Sequence, residues 1–533
     1  MVFKFQKPSK TRVYNWYVSL VAACAMVLYG YDASVFNAVQ GSTNWNNYYG
    51  NPNSSVIGSV TTAYTVGGIV SGFFFSAPIS DYFGRRMSIA VGAVIVIAST
   101  FVQAFSPSGS IGGFIAGRFF VGVGQGIALP AGPVYIGEMA PADIRGMIMS
   151  FWQLFYSVGS FIAFWINYSC TKRVASLGNW DWRMVVIFQI LVPLMICAAI
   201  PFCPETPRWY VQKGRYEDAR RSLRRVRETE EEVDNEMAEI TMAIEYEHEA
   251  LRGSYWPLWK DRSLRKRLLL AFVINCGQQM TGQGSLNNYS TIIYKKVFTD
   301  NSTIQLINAL NGTFGILFTL NATWTVDRFG RKPVLFVGAI GMAISMIIVA
   351  TVETQTPDLP GDTKSQPVGI ATVFLLFLFT LFYKPSWGAV TWIWTSEVFS
   401  MNVRAQAVGM ASQMQNVANA ILQQIFPLIL EKIKFYTFYM FAGINIILAV
   451  FVYFWLPETR GVRLEEMDTL FGGESHAQRG ADLILREKGD LAEQIEHAPD
   501  GDRELTAEEQ LAAEKIAMQV VLESRRAKEG DSV

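Results

Sequence analysis

Charged side chains are scarce in this chain, since 17% of its 533 residues are charged and 50% are hydrophobic. An ordinary soluble protein carries roughly a quarter charged residues. With three histidines and a formal net charge of zero, the composition indicates neither a metal centre nor a nucleic-acid partner. The five cysteines lack metal-ligand spacing, and no nucleophile–base pair or phosphate-binding loop is present. We therefore expect a membrane protein that is not an enzyme and uses no metal or organic cofactor.

Long apolar runs dominate what the sequence does contain. A bilayer-spanning helix needs about 20 apolar residues, and twelve candidate spans are present. They cover residues 14–36, 56–79, 87–105, 112–137, 146–168, 183–203, 268–294, 305–326, 333–352, 369–396, 405–430 and 435–456. The sequence thus predicts an all-α integral membrane protein with twelve transmembrane helices.

A hydrophilic stretch divides the spans into two sets of six. The predicted segments are a cytoplasmic tail over 1–13, a six-helix bundle over 14–203, linker helices over 204–267, a second bundle over 268–456 and a cytoplasmic tail over 457–533. The linker mixes aliphatic residues with dense charges, which favours short amphipathic helices. Residues 506–527 of the tail also have a helical pattern.

The placement of lysine and arginine predicts the orientation in the membrane. The loops at 81–86 and 327–332 are basic, whereas the 38–55 loop has no lysine or arginine. We therefore expect both termini on the cytoplasmic side of the plasma membrane. Asn53 and Asn301 begin sequons that would then face outwards, so they are candidates for glycosylation.

Three charged motifs occur twice, in the same order. Asp81-Tyr-Phe-Gly-Arg-Arg86 recurs as Asp327-Arg-Phe-Gly-Arg-Lys332, 246 positions later. A motif around Glu138 recurs after 259 positions, and a Pro-Glu-Thr motif around Glu205 recurs after 253. This spacing indicates a duplicated chain. We predict a cytoplasmic gating network of ion pairs formed by Asp81, Arg85, Arg86, Glu138, Arg145, Glu205, Asp327, Arg331, Glu397, Arg404 and Glu458.

The motifs in this order resemble the sugar porter family of the major facilitator superfamily, over roughly residues 14–461. The resemblance rests on DYFGRR, PVYIGEMAPADIRG, PETPRW, QQMTG, DRFGRK, SEVFSMNVRA and PETRG. It implies two pseudo-symmetric six-helix bundles with the substrate between them. We expect a monomer in the lipid bilayer whose partner is a small-molecule sugar or sugar acid.

Three charges lie well inside predicted spans, namely Asp32, Arg118 and Lys384. Each costs at least about 2.5 kcal/mol by insertion scales, so each indicates a functional site. Asp32 and Arg118 lie at similar depth near the outer ends of their spans, and we expect an ion pair. One interpretation is a static pair that joins two helices. The other, implied by the resemblance, is that Asp32 binds the coupling proton and Arg118 is its partner.

Lys384 lies near the middle of the tenth span and is followed by Pro385 and Gly388, which predicts a broken helix. The fourth span (GVGQGIALPAGP) is expected to be interrupted at the matching position, and such matching breaks indicate a substrate site. A neutral sugar needs no lysine there, whereas a carboxylate in a low-dielectric cavity requires a positive partner. This favours a sugar acid such as galacturonate. The alternative is a lysine that only reaches a backbone carbonyl or water.

A sugar site needs hydrogen-bonding side chains and an aromatic platform. By resemblance, the family's substrate contacts fall on Gln153, Gln278, Gln279, Trp392, Gln415 and Asn419. Asn288 and Asn416 stand where many members carry an aromatic residue, and we expect both at the site. Gly284 and Gly315 replace asparagines of the family pattern, so the pocket differs in polarity and shape.

The leading hypothesis is a proton-coupled symporter that imports a monosaccharide or a sugar acid by alternating access. A neutral hexose or pentose transporter or facilitator is the nearest alternative, although Asp32 argues against a passive facilitator. A hypothesis of another class is a transporter-like sugar sensor that signals through its tail, and measured uptake with turnover would separate it from a transporter.

Overall fold

Helices that match the predicted spans make up the architecture. The computed structural model describes residues 9–141, 144, 148, 151–250, 259, 262–357, 364–399, 401–460 and 471. The first six spans are Lys10–Val39, Ser54–Phe74, Arg85–Ala104, Ile111–Met139, Trp152–Lys172, and Trp180–Ile187 with Leu191–Ala199. The other six are Arg262–Met280 with Gln283–Lys295, Asn301–Phe329, Arg331–Gln355, Gln366–Tyr383 with Val390–Glu397, Met401–Ile433 and Thr437–Trp455. The all-α prediction is confirmed.

Nine helical stretches among the described residues are long and apolar enough to cross a membrane by length and composition alone. One of them, Ala407–Trp455, contains both the eleventh and the twelfth span. The fifth span is less apolar because it carries many amides and hydroxyls. Trp152–Lys172 contains Gln153, Ser157 and Ser160, which line the cavity described below. The seventh is divided at Gly282 into Arg262–Met280 and Gln283–Lys295, and four of the first six residues of its first part are basic. Polar cavity residues in the fifth span, and the division and basic start of the seventh, thus account for the two predicted spans that are missing from the nine stretches.

The second and fourth spans approach each other through glycines. A Cβ built on Gly122 would lie 2.0 Å from the carbonyl oxygen of Tyr64, and one on Gly67 would lie 2.1 Å from that of Phe119. In lipid, apolar side chains gain little by leaving the solvent, so helices associate where small residues let the backbones come close. These glycines therefore set the distance between the two helices.

Replacing Gly122 by alanine is expected to destabilise the protein by about 1–3 kcal/mol, because the new methyl group forces the two backbones apart. The matched control is Gly137→Ala on the same helix, where an added Cβ meets nothing within 4 Å. Thermal unfolding of the detergent-solubilised protein, followed by fluorescence-detected gel filtration, measures both variants. Equal midpoints for the two variants would contradict this account of the packing.

The interruptions of the helices differ from the predicted ones. The fourth span is one continuous helix, Ile111–Met139, that includes Pro130 and Pro133, so the expected break there was wrong. The tenth span continues through a π-helical turn, Lys384–Gly388, rather than ending. A real break lies in the seventh span at Gly282, whose φ of +97° is in the left-handed region that glycine tolerates.

The described part of the linker contains three helices after the sixth span: Pro207–Gln212, Tyr216–Val226 and Glu230–Ala250. Ala219 and Val211 pack with Ile244 in a small apolar cluster of their own. The helical pattern predicted for residues 506–527 lies outside the described residues.

Candidate functional site

A polar cavity of about 140 Å³ lies between the two halves of the chain. Its walls come from the first, second, fourth and fifth spans on one side and from the seventh, eighth, tenth and eleventh on the other. The predicted substrate residues that line it are Gln153, Gln278, Gln279, Asn288, Lys384, Trp392, Gln415 and Asn419. Gly284 and Gly315, where the sequence departs from the family pattern, line it too. Residues far apart in the sequence therefore meet in one place.

Asn416 lies elsewhere than the sequence led us to expect. Its Nδ2 donates to Gln413 Oε1 at 3.4 Å, and the Gln413 amide would meet a Cβ placed on Gly72 of the second span. Successive residues of an α-helix point about 100° apart, so Asn416 and Gln415 occupy different faces. Asn416 is half-buried and is not among the residues that line the cavity.

The cavity wall presents amide oxygens that can receive hydroxyl groups. Four of them are buried and have no hydrogen-bond partner among the described residues: Gln278 Oε1, Gln283 Oε1, Asn311 Oδ1 and Gln415 Oε1. Buried polar atoms are seldom left unpaired in proteins. Trp392, 41% exposed, adds an aromatic surface to the same wall. This combination suits a ligand with several hydroxyls and one apolar face.

Lys384 brings a positive charge into this polar wall. Its side chain is buried, and Nζ donates to Ser157 Oγ at 3.3 Å across the boundary between the halves. Nζ also lies 5.4 Å from the centre of the Tyr156 ring. Among the described residues no charged group faces it. The ammonium is therefore available to an anionic ligand.

The π-helical turn positions Lys384. In such a turn each backbone carbonyl accepts from the N–H five residues later, instead of four as in an α-helix. These turns are frequent at functional sites. Gln278 Nε2 donates to the carbonyl of Trp387 at 2.8 Å, and Trp387 Nε1 donates to the carbonyl of Leu335 at 3.0 Å. The seventh and ninth spans thus hold the turn in place from both sides.

Asp32 and Arg118 are neighbours, but their contact differs from the expected ion pair. Arg118 Nη1 donates to the main-chain carbonyl of Asp32 at 3.0 Å, and its guanidinium lies 4.8 Å from the centre of the Tyr64 ring. The Asp32 carboxylate instead accepts from Gln125 Nε2 at 2.6 Å. Arg118 lines the cavity, whereas Asp32 is fully buried behind it. The role of this pair in proton coupling stays a prediction.

Sequence reasoning missed several residues of the site. Tyr156, Ser157 and Ser160 line the cavity with Gln153, and their spacing of three, four and seven positions on one helix would have identified them. Gln125 follows Arg118 by seven positions and shares its helix face. Nothing local distinguishes it from a glutamine that joins two helices.

Buried amides join the halves at the end opposite to the basic motifs. Asn37 Nδ2 donates to Ser290 Oγ at 2.7 Å, and Gln40 Nε2 donates to the carbonyl of Asn288 at 2.6 Å. Because Asn288 also lines the cavity, these bonds close the two halves over it. At the same end Asn53 caps a helix, since its Oδ1 accepts from the N–H of Val56 at 2.9 Å.

At the basic end of the first half, two of the repeated motifs contact each other. Glu205 accepts from the N–H of Arg85 at 3.0 Å and from that of Arg86 at 3.1 Å. These N–H groups open a helix and have no partner within it, so the carboxylate acts as a cap. At Gly84, with φ +97°, a Cβ would lie 2.3 Å from Glu205 Oε2. Burial raises the pKa of Glu205, although the N–H donors act in the opposite direction.

The second half repeats this arrangement. Glu458 accepts from the N–H groups of Arg331 and Lys332, each at 2.9 Å. Gly330, with φ +91°, occupies the position of Gly84. The duplicated Pro-Glu-Thr and Gly-Arg motifs thus form the same helix cap twice.

Other described members of the predicted gating network form ion pairs within each half. Arg85 Nε lies 3.3 Å from Glu138 Oε2, and Arg331 Nη2 lies 2.6 Å from Glu397 Oε1. Asp81 is exposed, and its Oδ1 lies 3.9 Å from Arg85 Nη1. Arg145 and the side chains of Asp327 and Arg404 lie outside the part of the chain that the structure describes. The gating role stays a prediction, and Asn301 likewise stays a candidate for glycosylation.

The chain is similar to known transporters over most of its length. The family model described as sugar (and other) transporter matches residues 18–471. A probable quinate permease of Aspergillus fumigatus is 27% identical over 513 residues, which make up 92% of this chain and 94% of that protein. The quinate permease of Neurospora terricola is 28% identical over 496 residues, covering 88% of this chain and 92% of that protein.

Solved structures agree with this assignment. The inward open conformation of the xylose transporter XylE from E. coli aligns with a TM-score of 0.70 at 25% identity, covering 86% of this chain and 100% of that one. The proton:xylose symporter XylE bound to 6-bromo-6-deoxy-D-glucose aligns with a TM-score of 0.69 at 25% identity, covering 86% and 99%. Since the family model spans most of the sequence and the helices adopt this fold, the chain belongs to the sugar porter family of the major facilitator superfamily, whose members are multi-pass membrane transporters and not enzymes.

Proposed function

We propose that this chain is a proton-coupled symporter that imports a hydroxylated monocarboxylate by alternating access. The proposed substrate is a sugar acid such as galacturonate or a cyclic polyol acid of the quinate type. The protein works as a monomer in the plasma membrane, with both termini in the cytoplasm. The proton is the coupling ion, and no cofactor takes part.

Lys384 is the observation that carries the proposal. A buried ammonium is costly unless a counter-charge accompanies it, and no charged group of the described residues faces Lys384. A substrate carboxylate supplies that charge. The guanidinium of Arg118 also lines the cavity, but the Asp32 carbonyl and the Tyr64 ring already hold it.

The known relatives support the two parts of the proposal separately. Quinate carries one carboxylate and several hydroxyls, so the likeness to quinate permeases favours an acid that pairs with Lys384 while amides receive its hydroxyls. The likeness to a proton:xylose symporter favours proton coupling and leaves transport of a neutral hexose or pentose as the alternative.

Uptake of labelled galacturonate and quinate by transporter-deficient cells tests the substrate class. Glucose and xylose serve as competitors, and cells with an empty vector are the control. We expect at least one of the two acids to enter, faster at lower external pH, and the neutral sugars to compete weakly. Entry of neutral sugars without either acid would overturn the carboxylate part of the proposal.

A further inference from the structure

The carboxyl group of Asp32 contacts an amide rather than the nearby guanidinium. Gln125 Nε2 donates to Asp32 Oδ2 at 2.6 Å, and the two side chains are 3% and 0% exposed. Gln125 follows Arg118 by seven positions on the continuous helix Ile111–Met139, so both side chains lie on one face about two turns apart. The fourth span therefore donates two hydrogen bonds to Asp32: Arg118 donates to its main-chain carbonyl and Gln125 donates to its carboxylate.

The unpaired atoms beside this hydrogen bond are informative. Asp32 Oδ1 and Gln125 Oε1 are both buried and have no partner among the described residues. An ionised carboxylate only accepts hydrogen bonds, whereas a protonated one also donates. A primary amide has both a donor and an acceptor, but a guanidinium has donors alone. Gln125 can therefore bond to the carboxyl group in both protonation states, through Nε2 to the anion and through Oε1 from the acid.

We propose that Gln125 is a positioning residue for the coupling proton, which holds the Asp32 carboxyl group in place as it gains and loses that proton. This inference rests on the proposed proton coupling. The proton comes from water on one side of the membrane, binds a carboxylate oxygen of Asp32 and leaves to water on the other side.

Among the other groups around the carboxyl, Gln189 is a second amide, and its Nε2 and Oε1 are buried without a hydrogen-bond partner among the described residues. Gln125 is the amide that donates to the carboxylate within hydrogen-bond distance. The charged and titratable side chains that face the carboxyl among the described residues are Arg118, Tyr31 and Tyr64, and Gln189 approaches from the sixth span. Arg118 donates to the backbone carbonyl, and the Tyr31 hydroxyl donates to the carbonyl of Val185 at 2.8 Å.

Gln125→Met keeps the length and most of the volume of the side chain but removes the amide. A hydrogen bond to the charged carboxylate is stronger than one from the neutral acid, so loss of the amide destabilises the anion more than the acid and the carboxyl group holds its proton to a higher pH. We expect the external pH of half-maximal uptake to rise by about one unit, with substrate exchange at equal pH on both sides retained. The matched control is Gln103→Met, a fully buried glutamine on the third span that packs against Gly117, and its midpoint should equal that of the wild type.

The outcomes separate this inference from the proposed function. Uptake by the wild type that does not depend on pH and is unchanged in Asp32→Asn would overturn proton coupling itself. Suppose that wild-type uptake is proton-driven and that Asp32→Asn loses the coupling. If Gln125→Met then has the same external pH of half-maximal uptake as the wild type, the proposed role of Gln125 is overturned. If the methionine variant fails to reach the membrane, Gln125→Asn gives a second test. Its shorter amide cannot reach Asp32, so we expect the same rise in the external pH of half-maximal uptake.

Discussion

Asp32→Asn is expected to abolish uphill accumulation of the substrate while leaving downhill exchange in place. Asparagine has the same shape and keeps an oxygen that can accept from Gln125 Nε2, so the fold should survive. It cannot bind and release a proton at physiological pH, so the proton gradient no longer drives transport. One proton per substrate and a pH difference of about one unit support about a tenfold gradient. We expect the variant to reach equal concentrations on both sides.

Reconstituted vesicles with an imposed pH gradient measure this directly. The readout is the ratio of internal to external substrate, together with exchange of labelled for unlabelled substrate at equal pH. Exchange shows that the variant is folded and binds substrate. Accumulation above equilibrium by Asp32→Asn would show that another group carries the proton.

Lys384→Met should lower the affinity for the carboxylate substrate by about tenfold to about a hundredfold. A hydrogen bond to a charged group contributes about 1.5–3 kcal/mol, which corresponds to that range of dissociation constants. Methionine preserves the length of the stem in the π-helical turn. Ser157 keeps other partners, since its hydroxyl lies 3.2 Å from Thr319 Oγ1, so the effect on stability should be small.

Competition with paired ligands isolates this effect. The KM for galacturonate or quinate should rise in Lys384→Met, while the inhibition by the corresponding neutral polyol stays unchanged. Lys384→Arg retains a positive charge and should restore part of the affinity. Equal losses for the acid and the neutral polyol would mean that Lys384 supports the shape of the cavity and does not bind a carboxylate.

Much of the candidate site could be predicted, because its residue types are rare in spans. Lys384 stands out as a charge in an apolar run, and Gln278 and Gln279 stand out as adjacent amides; all three line the cavity. Asn416 was placed less well, because a position one residue from Gln415 falls on another face of the helix. Resemblance aligns positions along the chain but does not by itself give the rotation of a helix.

The sequence by itself determined the class of protein, the spans and the duplication, since apolar length and repeated charged motifs are properties of the chain alone. Only the tertiary structure decided which groups meet. Glu205 caps the third span from more than a hundred positions away, and Gln125 rather than Arg118 holds the carboxyl group of Asp32. The physical reason is that a contact between two helices depends on their rotation and crossing, which the packing of all the helices settles together.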